Sequence, residues 1–484
     1  MSSDLGQART DAQARGRFTR SVVLVLVLVL AAAGAVSALL LLQGPRLVST
    51  EANPDRLVAG SGGRVVLTTN ALLSDAEDLQ VSLQPSAAVQ ASVRGRSIVL
   101  QFTEPLHYAE EYTVTIDGVR ASFGGPRTVV TTEFRTTSPD LLYLQRGSGG
   151  DGQDQILRTG LRDASRQVIF QAPNIQFFAP LDGRLLVATV EGGASSLWIV
   201  DEADRTVDPV PMPVDGAVHR LAAVRPDLTV FSVLREEDQL DLSAPILEDD
   251  TSGGSALAQE SAFALYQINV GLGRGIEPVL GLDGSPLFVN AWDTIPGTTR
   301  LLVELPDTSL QVIELLDPTQ VRPFNRVQDS GPVSIRGDVA LVQDLQGRWI
   351  LDLQSGAQQP LPEPPAHEDG AARVGVDIAL AGPTRMYQRV LDFSGEANTV
   401  VSSIWRYDDG DWTEVYRPGS DQQVIESVAL SPNGQYLVVE LSDRATGSWD
   451  GVPGNPKPVG VTTVLIDVNT ALVTKTLSGF DIQW

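Results

Sequence analysis

The sequence predicts an all-β chain carried on one N-terminal transmembrane helix: a small antiparallel β-sandwich, then a seven-bladed β-propeller closed by the C-terminal strand. Three observations predict this. An uncharged apolar run, residues 22–42, separates a short arginine-bearing head from everything else. Between residues 64 and 136, five short runs alternate apolar and polar positions. Beyond Asp140 a cycle of strands recurs seven times, and its last inner strand, FDIQW at 480–484, has no second strand after it.

The run VVLVLVLVLAAAGAVSALLLL has the length of a hydrocarbon core, about 30 Å at about 1.5 Å per helical residue. Residues 21–43 are therefore expected to form a signal-anchor helix. The tail 1–20 carries Arg9, Arg15, Arg17 and Arg20 against Asp4 and Asp11, which keeps that side cytoplasmic and places the bulk of the chain outside. A cleaved signal is the alternative, since Ala35-Val36-Ser37-Ala38 offers small residues. Cleavage there would cut inside the apolar run, because Leu39 to Leu42 continue it.

The chain contains no cysteine, which removes disulfides, zinc–thiolate sites, cysteine nucleophiles and a lipid-modified cysteine anchor. Net charge is −25 overall. Four Arg and two Asp give the first twenty residues +2, leaving −27 for the rest. Such a surface repels phosphate backbones, so no nucleic-acid partner is expected. Two lysines accompany 33 arginines, a bias that fits a GC-rich bacterial genome and, with the anchor, a cell-envelope location.

Residues 46–138 hold the alternating runs RVVLTTN, LQVSLQP, SIVLQFT, YTVTIDGV and TVVTTEFRT, with Gly, Pro, Asn or Asp between them, the pattern of a small antiparallel sandwich. The stretch SIVLQFTEPLHYAEEYTVTIDGVRASFGG followed by TEFRT resembles bacterial Ig-like domains of the SbsA type. Phe102, Pro105, Leu106, Tyr112, Val114, Gly118, Gly124, Phe134 and Thr136 fall in the order those domains show. The resemblance covers about 90 residues and implies a spacer or stalk. Tyr112 is expected to be a core aromatic whose hydroxyl reaches a backbone group. His107 stands alone in a polar turn.

Residues 140–484 supply the repeat. Third strands of the cycle occur at 155–161, 196–201, 264–270, 310–317, 348–353, 402–409 and 463–469, several ending hydrophobic-Asp. Inner strands are IQFFAPL, VHRLAAV, LFVNAW, PVSI, VDIAL and VIESVAL, and FDIQW would complete the blade begun at Leu141. Ser431-Pro-Asn-Gly434 and the blades around it resemble TolB-like and WD40-like propellers. The long loops all join second to third strands: 147–154, the acidic 236–261, 393–400 and 442–460. The chain comes into the propeller at the opposite face, so these loops should face away from the membrane.

Catalytic chemistry has little support. No G-x-S-x-G elbow occurs, and His107, His219 and His367 are scattered. GLGRG at 271–275 lacks dinucleotide-loop spacing and reads as turn chemistry. No cofactor is expected. The acids from Glu236 to Asp250 could collect calcium, but no D-x-D-x-D-G loop appears, and a like-charged stretch with Gly and Ser is normally a solvated loop. Asp151 with Asp154 is a smaller case of the same kind, and Asp408-Asp-Gly-Asp-Trp412 reads as a hairpin turn. Trp449, with Asp450 and Lys457 in the same Gly/Pro-rich loop, is the candidate contact for a partner.

The expected function is thus a membrane-anchored extracytoplasmic binding or scaffold protein without catalysis, whose partner is a protein or an envelope polymer. A hydrolase of cell-surface saccharide, using two carboxylates across the propeller channel, is the alternative. A spacer in a membrane complex is a third reading.

Overall fold

The computed structural model describes residues 24–31, 44–59, 63–147, 152–235, 262–273, 275–327, 334–344, 346–366, 372–393, 400–420, 422–443, 449–452 and 455–484. The chain divides into two compact units, Met1–Thr137 and Ser138–Trp484. Both are built of antiparallel sheets. Of the apolar run, residues 24–31 form an exposed helix; the rest of the expected 21–43 span lies outside the described residues. Among the described residues no helix is long and apolar enough to cross a membrane.

In the first unit, one sheet orders the strands Leu47–Ala52, Arg64–Thr69, Ser97–Phe102 and Val89–Arg94, and a second orders Gln80–Gln84, Glu111–Val119 and Thr128–Arg135. Alternation along each strand sends one row inward. Val65, Leu67, Ile98 and Leu100 of the first sheet meet Tyr112, Val114, Ile116 and Phe134 of the second in one core. A single-turn helix, Pro54–Val58, drops Leu57 into the open end of that core. Asn53 caps it by accepting from the Arg56 N–H at 3.1 Å, and proline occupies its first turn, where no donor is needed. Tyr112 stacks on Phe134 at 5.5 Å, and its hydroxyl accepts from the His107 N–H at 3.0 Å. The sequence expectation for Tyr112 therefore describes what the side chain does.

Among the described residues the second unit contains seven sheets, each of at least four strands in meander order, which is the construction of a β-propeller. We number blades along the chain. The inner strands of blades 2 to 7 are Ile175–Leu181, Gly216–Arg225, Ala291–Thr294, Ser334–Arg336, Arg373–Leu380 and Gln423–Leu430. Blade 1 takes its inner strand, Phe480–Gln483, from the C-terminus, paired with Asp140–Gln145. Hydrophobic cores lie between neighbouring sheets. Leu186 and Leu197 of blade 2 pack with Phe231 and Val233 of blade 3, and Leu302 and Leu310 of blade 4 with Ala340 and Leu351 of blade 5. The core containing Leu144, Ile156 and Phe480 also takes in Val461 and Leu185, so it joins blades 7, 1 and 2 at the seam.

One inner strand departs from the sequence reading. LFVNAW divides between two sheets: Phe288–Val289 pairs with the third strand of blade 3, and Ala291–Thr294 begins blade 4. The outer strand of blade 3 ends at Pro278: the Val279 N–H still donates to the Leu265 carbonyl at 2.9 Å, but the Leu265 N–H donates to the Leu287 carbonyl at 3.1 Å. The chain turns through Gly281–Ser285 and returns to finish that edge.

Third strands end as the hydrophobic-Asp pattern suggested, and the carboxylate has a clear task. Asp201, Asp352 and Asp467 each accept backbone N–H groups two and three residues on, turning the chain into the outer strand. Blade 6 uses Asp409 and Gly410 instead, both at positive φ, as a two-residue hairpin between Val401–Asp408 and Asp411–Tyr416. The expected turn at 408–412 is what the chain forms.

Candidate functional site

The residues singled out in the 442–460 loop lie where blade 7 meets the closing blade. Trp449 forms an isolated bridge with Pro458, so the loop is a pinched hairpin, and the indole is 60 % exposed. Its neighbours point the other way. The Asp450 carboxylate accepts from the backbone N–H groups of Val452 and Lys457, each at 3.1 Å, and is ion-paired with Arg146. Lys457 donates from Nζ to Glu440 at 2.9 Å and lies 3.9 Å from Asp481. Asp450 and Lys457 thus act inside the protein, and Trp449 alone of the three faces solvent.

Arg146, Phe480, Asn455 and Asp154 complete this network, and of these the sequence pointed only to Asp154, as a possible cation ligand. Arg146, 9 % exposed at its side chain, follows the second strand of blade 1. Its guanidinium donates to the carbonyls of Asn455 and Ile175, both at 2.9 Å, and sits over the Phe480 ring at 5.2 Å. Lys457 approaches the same ring at 5.1 Å. Asn455 donates to the carbonyl of Gln176 at 2.7 Å and to Asp481 at 3.0 Å. Asp154 accepts from Gly147 and Ile175 N–H groups, so its carboxylate is already occupied by the fold. One loop of blade 7 is thereby tied to the start of the inner strands of blades 1 and 2.

Two cations, Arg146 and Lys457, face four carboxylates, Asp154, Asp450, Glu440 and Asp481, in largely desolvated surroundings. The imbalance shows in the acids. Burial pushes Asp481 above the usual carboxylate range despite Lys457, with Glu440 adding to the rise. Burial also raises Asp154, against its two backbone donors and Arg146. For Lys457 burial pulls downward, but Glu440 and Asp481 outweigh it and hold the ammonium above its ordinary value. Each acid is engaged by donors from the protein.

The other strand ends at this face repeat a simpler form of the tie. Ser195, one residue into the third strand of blade 2, accepts from the Val218 N–H of blade 3 at 2.8 Å. Ser402 does the same for Ile425 of blade 7, and Thr463 donates to the Gly479 carbonyl ahead of the closing strand. Inner strands are bulged beside these contacts, at Gln176, His219 and Glu426. A bulge leaves backbone groups without a ladder partner, and the preceding blade supplies one.

Other candidates resolve plainly. His219 stacks on Phe263 at 3.9 Å, and burial lowers its pKa. The acidic segment 236–261, Asp151 and His367 lie outside the described residues. Among the described residues no group of three acidic, histidine or cysteine side chains could hold a metal ion.

No family model matches the sequence, and no curated protein is similar to it. Among solved structures the chain is similar to a putative 6-phosphogluconolactonase from Bacteroides fragilis, at 14 % identity over 71 % of this chain and 97 % of that one, with a TM-score of 0.40. It is similar to a putative TolB from Agrobacterium tumefaciens, at 13 % identity over 71 % of this chain and 91 % of that one, TM-score 0.31. An acylaminoacyl peptidase from Pyrococcus horikoshii is 9 % identical over 78 % of this chain and 51 % of its own length, TM-score 0.40.

Proposed function

We propose that the chain is a membrane-anchored extracytoplasmic binding or scaffold protein, in which an Ig-like stalk of the SbsA type carries a TolB-like propeller and the face of long loops captures a protein or envelope polymer. The anchor is the apolar run 22–42 and the arginine-bearing head stays inside. One observation carries the binding reading: Trp449 is exposed on a loop whose backbone is fixed at Asp450, Asn455 and Lys457. An aromatic held in place loses little freedom on binding, which is what makes such a residue an effective anchor. Catalysis is not part of this reading, because Glu440 and Asp481 are bridged by a lysine rather than open to a substrate and water.

The test is proximity crosslinking in intact membranes of the source organism, followed by affinity measurement with the captured protein or with isolated envelope polymer. Trp449→Ala should weaken capture by at least about tenfold, the range of a truncated hot-spot aromatic, with the fold retained. Unchanged capture would remove Trp449 from the contact. Saccharide turnover abolished by Asp481→Asn would establish the hydrolase alternative.

A further inference from the structure

One end of the N-terminal sandwich differs in character from the rest of this acidic chain. It is the end at which the chain emerges at Gly44, two residues after the apolar run. Three segments are joined there. The Arg46 N–H donates to Asn70 Oδ1 at 2.8 Å and the Asn70 N–H to the Arg46 carbonyl at 3.0 Å. Leu73 donates to the Gly95 carbonyl at the tip of the Arg94-Gly95-Arg96 turn and bridges Ala121. Thr128 donates to the carbonyls of Pro45 and Val119. The tips so assembled present Phe123, 81 % exposed, and Leu72, 42 % exposed, on two segments joined by the bond from Ser122 N–H to the Leu72 carbonyl.

The charges at these tips are also unusual. Arg46, Arg94, Arg96, Arg120 and Arg127 are all exposed and all belong to this end, in a chain with net charge −25. Among the described side chains, the exposed acids at the same end are Asp75, Glu77 and Asp117. The opposite end, where the helix Pro54–Val58 sits, carries Asp55, Glu104, Glu110 and Glu111 together with Arg56, Arg64 and Arg135. An exposed phenylalanine at an end that also carries five exposed arginines suits a bilayer interface, where the aromatic ring enters the acyl boundary and guanidinium groups meet anionic headgroups. Nothing in the fold requires Phe123, since it contributes no side chain to the sandwich core.

We propose that this end is a membrane-contact surface: Phe123 and Leu72 insert at the interface while Arg46, Arg94, Arg96, Arg120 and Arg127 engage anionic lipid headgroups. The proposal rests on the anchor reading above. It gives the stalk a fixed footing on the bilayer rather than a free tether, and it predicts a preference for acidic phospholipid.

The cysteine-free sequence makes the test direct. Full-length Phe123→Cys and Glu104→Cys proteins are labelled with bimane and reconstituted into phosphatidylcholine vesicles with or without phosphatidylglycerol, some lipids carrying a nitroxide near the headgroup. Vesicle flotation after a carbonate wash reads the anchor separately. Lipid quenching should be strong at position 123, weak at 104, and greater with phosphatidylglycerol. Arg94→Gln with Arg96→Gln should shift the docked-to-undocked ratio by roughly thirtyfold, from the attraction of two cationic groups for an anionic surface. A chain that floats but shows no quenching at 123 overturns the contact surface and leaves the anchor standing. A chain that fails to float overturns both. Crosslinking between copies at 123 without lipid quenching overturns the lipid assignment in favour of self-association.

Discussion

Replacing Arg146 by methionine should be the most damaging single change on the loop face of the propeller. Methionine keeps the aliphatic stem but removes every donor. The ion pair to Asp450 is lost, with side chains only 9 % and 14 % exposed, as are the bonds to the Asn455 and Ile175 carbonyls. Breaking a buried pair from one side typically costs about 3–5 kcal/mol. Here each orphaned acid keeps two backbone donors, Val452 and Lys457 for Asp450, Gly147 and Ile175 for Asp154, which places the loss near the lower bound, about 3 kcal/mol. Urea unfolding followed by tryptophan fluorescence is the assay, because all seven tryptophans lie beyond residue 137 and report the propeller unit. Arg417→Met, which breaks the exposed pair with Glu414, is the control and should cost no more than about 1 kcal/mol. Amide exchange at Lys457, whose N–H is held by Asp450, should accelerate in the first variant only. If Arg146→Met costs no more than Arg417→Met, the network is not what ties the loop to the seam.

Three other outcomes follow from the same geometry. Gly479→Ala should open the closing strand: φ is +144°, and an added Cβ would sit 2.5 Å from the Leu144 carbonyl, so the loss should be at least about 2 kcal/mol by thermal unfolding. Ser195→Ala leaves the Val218 N–H and Gln176 without their buried partner and should cost about 2–3 kcal/mol; a loss indistinguishable from zero by urea titration would show that the inter-blade ties are dispensable. Two sets of carboxylates should shape the pH profile in opposite directions. Asp154 and Asp481 have folded pKa values raised above the ordinary 3.8, so their contribution to stability is full below that value and is lost as pH rises through the folded pKa. Asp163, Asp283 and Asp317 are lowered, chiefly by the serine or threonine hydroxyl two residues on, so theirs is present above 3.8 and lost as pH falls through the folded pKa. Asp481→Asn should flatten the decline above about pH 4 and leave the acid limb in place; parallel profiles for the two proteins would contradict the assignment.

Much of the fold was legible because strand periodicity and turn chemistry are local signals. The seven third strands were visible as recurring apolar runs, several ending in Asp, and the structure shows why that residue recurs: Asp201, Asp352 and Asp467 fold their own turns. The D-x-Ser/Thr turns at Asp163, Asp204, Asp283, Asp307 and Asp317 were equally local and went unread. LFVNAW was misassigned because six apolar-rich residues look like one strand, while in the structure the Leu287 carbonyl takes the Leu265 N–H and the first half finishes the preceding sheet. The polar network was not legible for a different reason. Arg146 and Asp450 are 304 positions apart, and only ring closure makes them neighbours. Asp450 and Lys457 looked like solvent-facing loop charges because sequence records their charge but not the partners that remove them from solvent.

The placement of the network has a physical logic. Six blades form from strands contiguous in the chain, whereas blade 1 depends on Phe480–Gln483, a four-residue strand whose partner, Asp140–Gln145, lies at the other end of the propeller sequence. Closing a loop of that length carries an entropic cost, and the paired register there is interrupted between Phe480 and Gln483. The seam therefore benefits most from ties outside the ladder. It receives them from the 442–460 loop, through Arg146, Asn455 and Lys457, and through two cations stacked over the Phe480 ring. The same ties fix the chain that follows Trp449, at Asp450, Asn455 and Lys457. Ring closure and presentation of the exposed indole are consequently one mechanical problem: whatever loosens the seam also releases the anchor, whereas removal of the indole leaves the seam intact.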